Sequence, residues 1–339
     1  MMRQELTELQ KAKIKEIRNT RVWMDFHLSV IDEMYDCKDL SKLDGEPICM
    51  AIYGDTGAGK SEMMEMFKND HKRYEKVNST VIPVVYTVLP PKVSGNGLLR
   101  KIIKSMGLGI EDYKDFEFDD LMEIIVEMVD KLGVELFIID EAQGLLEHDT
   151  RKHLYEATEC IKALIIATKR PVILFGLPWC ITAIEYNPQL ASRFLRRRFL
   201  APFKISDEKS RAEYFAFLDA LDDAFGLEKK AGLGESKIAL RLFAASRGNL
   251  RVLRGIIDQA ATYAISENAS TITFDRLKKA CSVCCPACNA FNIESLKDVE
   301  FVELAKPSYW DKNARRGQNP VVEQTFTQEQ KLSEALSAT

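Results

Sequence analysis

The run Gly54-Asp55-Thr56-Gly57-Ala58-Gly59-Lys60-Ser61 sets three glycines ahead of a lysine and a hydroxyl residue. This is the G-x-x-x-x-G-K-[ST] spacing of a phosphate loop. Glycines reach positive φ and allow close backbone approach, so successive N–H groups can converge on phosphate oxygens. Lys60 is placed to contact β- and γ-phosphates, and the Ser61 hydroxyl to hold Mg2+. Further on, Leu136-Phe137-Ile138-Ile139-Asp140-Glu141 is an apolar run ending in two carboxylates. In proteins with a phosphate loop, an acid at the end of such a strand orders the magnesium shell, and Asp140 fits that role. Glu141 is placed to act as general base on an attacking water. The expected ligand is a nucleoside triphosphate with Mg2+.

The flanking sequence supplies the elements that must hold these groups. Pro47 to Tyr53 predicts a strand leading into the loop, and Ser61 to Lys72 a helix whose positive N-terminal dipole favours phosphate. Strands are expected at Thr80 to Leu89, Leu136 to Ile139 and Val172 to Phe175. Helices are expected at Leu98 to Met106, Phe118 to Leu132 and Arg151 to Ala167. Apolar strands alternating with helices predict an α/β fold, a parallel sheet buried on both faces. After Ile205 the pattern turns helical, at Asp207 to Phe225, Ser236 to Ser246, Leu250 to Ser266 and Phe274 to Val283. The expected division is an N-terminal helical segment (1–46, helical over Glu5 to Tyr35), a nucleotide-binding core (47–205), a helical second domain (206–283) and an irregular, partly disordered tail (284–339).

Composition sets outer limits. The chain has 339 residues, 46% of them apolar and 29% charged, with a net charge of −4. That is enough for two domains and is no polycation, so nucleic-acid contact must come from local patches or many subunits. Met1 to Asn19 lacks an apolar signal core, and no apolar run is long enough to span a membrane. The expected compartment is cytoplasmic, with the eight cysteines reduced.

GDTGAGKS and FIIDEAQGLL together resemble the AAA+ branch of P-loop ATPases, in particular the TniB/TnsC-type transposition regulators, including those of CRISPR-associated transposons. Leu174-Phe175-Gly176-Leu177-Pro178 is similar to the family's segment after the acidic strand. Gln189-Leu190-Ala191-Ser192-Arg193-Phe194, followed by Leu195-Arg196-Arg197-Arg198-Phe199, is similar to its S-R-F box. Gly248-Asn249-Leu250-Arg251 is similar to its second-sensor motif. The resemblance implies a Rossmann-like αβα core with a C-terminal helical lid, and ATP bound between subunits. It implies that an arginine from a neighbouring subunit completes the site; Arg193 is the first candidate, with Arg196 and Arg197 as alternatives. Arg251 would be the second sensor. One departure stands out: the first-sensor position, usually polar, reads Phe-Gly-Leu-Pro here. That suits a slow, switch-like ATPase.

The family resemblance further implies a homo-oligomeric ring or filament on duplex DNA, held by backbone contacts. It would couple a target-selection protein to a transposase, with ATP hydrolysis driving disassembly. Candidate DNA contacts are Lys92, Arg100, Lys101 and Lys104, and the pair Arg151 and Lys152. A DNA-remodelling ATPase of loader or helicase type and a non-DNA signalling or secretion scaffold remain open alternatives. Cys281-x-x-Cys284-Cys285-x-x-Cys288 has paired C-x-x-C units, but they abut, which makes one tetrahedral zinc site awkward; buried or incidental thiols are the expectation. The last stretch, Ser308 to Thr339, with Trp310 and Phe326 in polar surroundings, is read either as a tethered partner-binding peptide or as passive disorder.

Overall fold

A computed structural model describes residues 5–43, 45–77, 79–109, 113, 115–146, 151–315 and 318–333, with the side chains of 151–154 outside the description. The chain divides into two units. An α/β unit comprises residues 25–200 and 307–323, and a helical unit comprises 1–24, 201–306 and 324–339. Helix α1 (Glu8–Asn19), opened by a Thr7/Gln10 capping box, belongs to the helical unit and buries Ile14 and Ile17. Helix α2 (Asp25–Leu40) opens the α/β unit. The single helix expected over Glu5 to Tyr35 is therefore broken. Thr20 takes extended backbone (ψ 130) just before the chain passes from one unit to the other.

Strand β1 (Met50–Tyr53) and helix α3 (Lys60–Asp70) flank the glycine-rich loop. Strands β2 (Tyr74–Lys76) and β3 (Ser79–Val81) pair antiparallel, and β4 (Val84–Val88) follows. The expected strand Thr80 to Leu89 is split at Pro83, which has no N–H to give to a ladder. Its carbonyl instead accepts from the N–H groups of Glu135 and Leu136 at 2.8 and 3.2 Å. Next come α4 (Gly95–Ser105), α5 (Phe118–Lys131), β5 (Leu136–Asp140), a 3-10 turn (Ala142–Leu145), α6 (Arg151–Thr168), β6 (Val172–Gly176), α7 (Cys180–Tyr186), α8 (Pro188–Ala191) and β7 (Arg196–Phe199).

The sheet runs β4-β5-β6-β1-β7, with every pair parallel. Phe137, Ile139 and Leu174 of its strands share a core with Leu99 and Ile102 of α4, Leu121 and Ile125 of α5, and Ile161 and Leu164 of α6. Each such side chain, fully buried, contributes about 1.5–3 kcal/mol. Strand β7 was not anticipated, because Arg196-Arg197-Arg198 reads as a basic turn. The strand period of two resolves the charges: Arg196 and Arg198 reach Asp36 and Glu33 of α2, while Arg197 reaches Glu185 of α7.

The helical unit is built from α1 with α9 (Glu208–Phe225), α10 (Ser236–Ser246), α11 (Leu250–Ser266) and α12 (Phe274–Cys284), around Phe217, Leu221, Leu240, Phe243, Ile256 and Leu277. Beyond Cys284 the chain forms β8 (Glu300–Phe301), β9 (Leu304–Lys306), β10 (Tyr309–Trp310), β11 (Val321–Val322), β12 (Thr325–Phe326) and β13 (Gln330–Lys331). Within the helical unit β8 pairs with β13 and β9 with β12, and Val299, Phe301 and Leu332 join its core. Buried Glu303 accepts the N–H groups of Ile205 and Ser206 on one oxygen, at 2.6 and 2.8 Å. Within the α/β unit β10 pairs with β11, and Trp310 packs on that unit's core. Strands of two or three residues carry no periodicity, which is why this segment reads as irregular from sequence.

Candidate nucleotide site

The loop after β1 is shaped by its neighbours. Leu200 N–H donates to Tyr53 O (2.7 Å), and Gly54 N–H to Gly176 O (3.2 Å). A Cβ on Gly54 would lie 2.6 Å from Leu200 O, so only glycine fits there. Gly57 (φ 88) and Gly59 (φ 92) hold left-handed backbone that other residues resist. Gly59 caps α3 without a side-chain hydrogen bond, leaving the first turn of the helix to be completed by something else. Lys60 Nζ curls into the loop and donates to Gly54 O (2.5 Å) and Asp55 O (3.1 Å). Ser61 follows, exposed, in the same turn.

Asp140 ends β5 as expected. Its Oδ1 accepts from Glu141 N–H (2.8 Å) and its Oδ2 from the Tyr86 hydroxyl (3.1 Å). Burial pushes the Asp140 pKa up and the adjacent Glu141 carboxylate adds to this; the Glu141 N–H, the Tyr86 hydroxyl and Lys60 pull it back. Burial likewise pushes the Lys60 ammonium down, against the opposing pull of Asp140, Cys180, Asp55 and Glu141. Two opposite charges thus lie close together, and neither fully offsets the other's loss of water. A phosphate chain with a divalent cation would supply an anion for one and a cation for the other. The donor set fits such a ligand: Lys60 and the loop amides could hold phosphate, and Ser61 with Asp140 could hold Mg2+, whose charge would neutralise the phosphates. Asp55, also raised by burial, accepts from the Ser308 hydroxyl (2.8 Å) on Oδ1, while its buried Oδ2 has no protein partner.

Glu141 sits in the left-handed region (φ 57, ψ 40), a conformation that costs a non-glycine residue about 1–2 kcal/mol. Strain of this kind is a mark of functional positions. Buried Gln143 donates its amide N–H to Glu141 Oε2, and its Oε1 accepts from Leu177 N–H (3.1 Å). At the end of β6 stand buried Phe175 and Gly176, without a polar side chain. Tyr86, Gln143 and Ser308 were not anticipated. Tyr86 is the one aromatic residue of β4, and Gln143 is the one polar residue between Glu141 and Glu147, so both carried a signal. Ser308 carried none, since only folding brings it to the loop.

Each arginine near β7 has an acidic partner in its own unit. Arg193 lies 3.4 Å from Glu46, Arg196 3.1 Å from Asp36, Arg197 3.3 Å from Glu185 and Arg198 2.6 Å from Glu33. Arg251 is an exposed residue in the first turn of α11, in the helical unit. Asn249 caps that helix, accepting from the N–H groups of Arg251 and Val252. Gly248 (φ 74) makes the turn, where a Cβ would meet Phe203 O at 2.2 Å.

Of the basic residues considered for DNA contact, Lys92 and Lys104 are exposed and Lys101 is half-buried. Arg100 instead fastens the chain ahead of α5, donating to the carbonyls of Tyr113 (3.2 Å) and Phe116 (2.9 Å). Arg151 and Lys152 open α6, but their side chains lie outside the described residues. All eight cysteines are free thiols, and among the described residues no three ligating side chains are grouped to hold a metal. Cys281 and Cys288 share a hydrogen bond that lowers Cys288 to about 6 and raises Cys281 well above the usual thiol range. No helix among the described residues is long and apolar enough to cross a membrane.

Several solved structures share this fold. The Aeropyrum pernix ORC2 protein in its ADPNP–ADP complexes aligns with TM-score 0.54 and 14% identity over 80% of this chain and 71% of that one. Cdc6p from Pyrobaculum aerophilum gives 0.54 and 14%, over 78% and 69%. The A. pernix ORC1 protein in complex with DNA gives 0.52 and 13%, over 78% and 67%. No curated protein sequence matches this one. The parallel sheet and surrounding helices thus have the fold of an α/β phosphate-loop core. The family described as bacterial TniB protein matches residues 13–204, which span β1 to β7 with the phosphate loop, Asp140 and Glu141. With more than half of its length covered by that match, the chain belongs to the TniB family of AAA+ transposition-regulator ATPases.

Proposed function

We propose that this protein is an ATP-gated switch of DNA transposition: a cytoplasmic ATPase that assembles on duplex DNA as a homo-oligomer and couples a target-selection protein to the transposase. Hydrolysis drives its disassembly. The observation that carries this reading is the cluster of Lys60, Asp140 and Glu141 around the phosphate loop in a chain of the TniB family. Structural relatives include ORC1 in complex with DNA and a Drosophila ORC bound to DNA, which supports DNA as the surface of assembly.

In this mechanism the loop amides and Lys60 bind and orient the phosphates. Asp140, with Ser61, would hold Mg2+, which would neutralise charge on the phosphates. The Glu141 carboxylate takes the proton of the water that attacks the γ-phosphorus. Arg193 from the neighbouring subunit stabilises charge on the transferred group, which ties turnover to assembly. Arg251, in the helical unit, keeps the second-sensor role that the family resemblance implies. DNA contact through Lys92, Lys101 and Lys104 is to phosphates alone and so independent of sequence. Slow turnover follows from the apolar end of β6, which offers no side chain to the γ-phosphate.

Electron microscopy of the protein with duplex DNA and a non-hydrolysable ATP analogue tests the proposal. Rings or filaments on DNA, absent for Lys60→Ala, are the expected result. A protein that stays monomeric with both ligands present overturns it.

A further inference from the structure

The end of β6 lacks a polar side chain, yet the space beside it is not apolar. A Cβ on Gly176 would lie 3.1 Å from Gln143 Oε1 and 2.8 Å from Cys180 Sγ, so the missing side chain is what makes room for Gln143. Gln143 is only 7% exposed, and a buried amide must have both ends satisfied. Here one end accepts from Leu177 N–H and the other donates to the Glu141 carboxylate. Glu141 is itself exposed, and an exposed glutamate without a tether samples several rotamers.

We propose that Gln143 is the positioning residue for Glu141, supplying from the turn after β5 the polar side chain that the end of β6 lacks. The inference rests on the reading of Glu141 as general base. It also gives the phosphate loop a route to that base. Gly54 N–H bonds Gly176 O, the N–H of Leu177 in the same peptide unit just past β6 bonds Gln143, and Gln143 bonds Glu141. Movement of the loop on binding nucleotide is therefore transmitted to the carboxylate through one amide side chain.

Steady-state ATPase assays of the full chain with DNA, in four forms, test this: wild type, Gln143→Leu, Glu141→Gln and the double variant. Gln143→Leu should lower kcat about tenfold, equivalent to about 1.4 kcal/mol, with KM within about threefold. In the Glu141→Gln background it should change the residual rate by less than about twofold, because Gln143 acts only through Glu141. An unchanged kcat for Gln143→Leu, or an equal fall in both backgrounds, overturns the role of Gln143 while leaving Glu141 as base. Wild-type turnover by Glu141→Gln sinks the reading of Glu141 itself. If Gln143→Leu does not fold, as judged by thermal melting, Gln143→Asn keeps the amide but shortens its reach and is read by the same criteria.

Discussion

The Tyr86 hydroxyl donates to Asp140 Oδ2 across 3.1 Å, although Tyr86 faces Ile138 in the ladder and Val88 faces Asp140. The ring thus leans two positions along its strand to reach the carboxylate. Burial and the Asp140 charge push the Tyr86 pKa upward, so the hydroxyl stays a donor. Tyr86→Phe keeps the ring and removes that donor. Hydrogen bonds to charged groups contribute about 1.5–3 kcal/mol, so the Mg2+ needed to half-saturate nucleotide binding should rise about tenfold. Magnesium titrations of nucleotide binding at pH 7 check this; an unchanged midpoint would show the bond to be incidental.

The site is expected to cost stability while empty of ligand. The Asp140 pKa is raised above its ordinary 3.8, so its ionised form is a burden at every pH above the folded value and the burden lifts as pH falls through it. Lys60 is lowered from 10.5, so its charged form is a burden below the folded value and the burden lifts as pH rises through it. At pH 7 both burdens are present. Asp140→Asn should therefore raise the nucleotide-free melting temperature, by about 2–4 °C for a gain near 1 kcal/mol. It should also shrink the further rise that Mg2+ and nucleotide give. Differential scanning calorimetry decides; a lower melting temperature than wild type would mean that the carboxylate is net stabilising.

Arg193 and Arg198 should separate assembly from folding. The partner of Arg193, Glu46, is 80% exposed, and such pairs are worth about 0–1 kcal/mol. Arg193→Ala should leave melting and nucleotide binding near wild type yet cut DNA-stimulated hydrolysis about a thousandfold. Arg198 places Nε and Nη2 on one oxygen of Glu33, whose other oxygen is buried without a partner. Arg198→Ala should lower the melting temperature first. Hydrolysis that survives Arg193→Ala but fails in Arg197→Ala would reassign the trans-acting role.

Glu303 should behave as a structural residue far along the chain from any motif. Its single oxygen satisfies two amides, of Ile205 and Ser206. Glu303→Ala leaves the buried Ile205 N–H unpaired, while the N–H of exposed Ser206 can turn to water, and should cost about 1–3 kcal/mol. Urea unfolding measures it, and a wild-type midpoint would show that water replaces the carboxylate.

The nucleotide end of the molecule was legible because its signals are local. The glycines, Lys60, Ser61, Asp140 and Glu141 stand in two short runs, and the strands that carry them are plainly apolar. What stayed hidden depended on contacts across the fold. The arginines of β7 conceal a strand because their charges are met by Glu33, Asp36 and Glu185, far apart in sequence. Tyr86 reaches Asp140, and Gln143 reaches Leu177, only because β4, β5 and β6 lie side by side. Pro83 marked a break that the apolar residues around it masked. Leu332 and Phe301, which read as isolated apolar residues in a polar tail, are buried in the core of the helical unit.

Four peptide links join the two units, after residues 24, 200, 306 and 323. A protease that cuts after residue 200 or 306 leaves two fragments, each holding part of both cores, and a cut after 24 or 323 removes only a terminal piece of the helical unit. Cutting at the first two frees residues 25–200 without the stretch that carries Ser308 and Trp310, so neither unit leaves as a whole until all four links are severed. Nicked protein is therefore expected to migrate as one body under native conditions and to fall into pieces only in denaturant. Neither unit can be lifted out as one continuous stretch of chain.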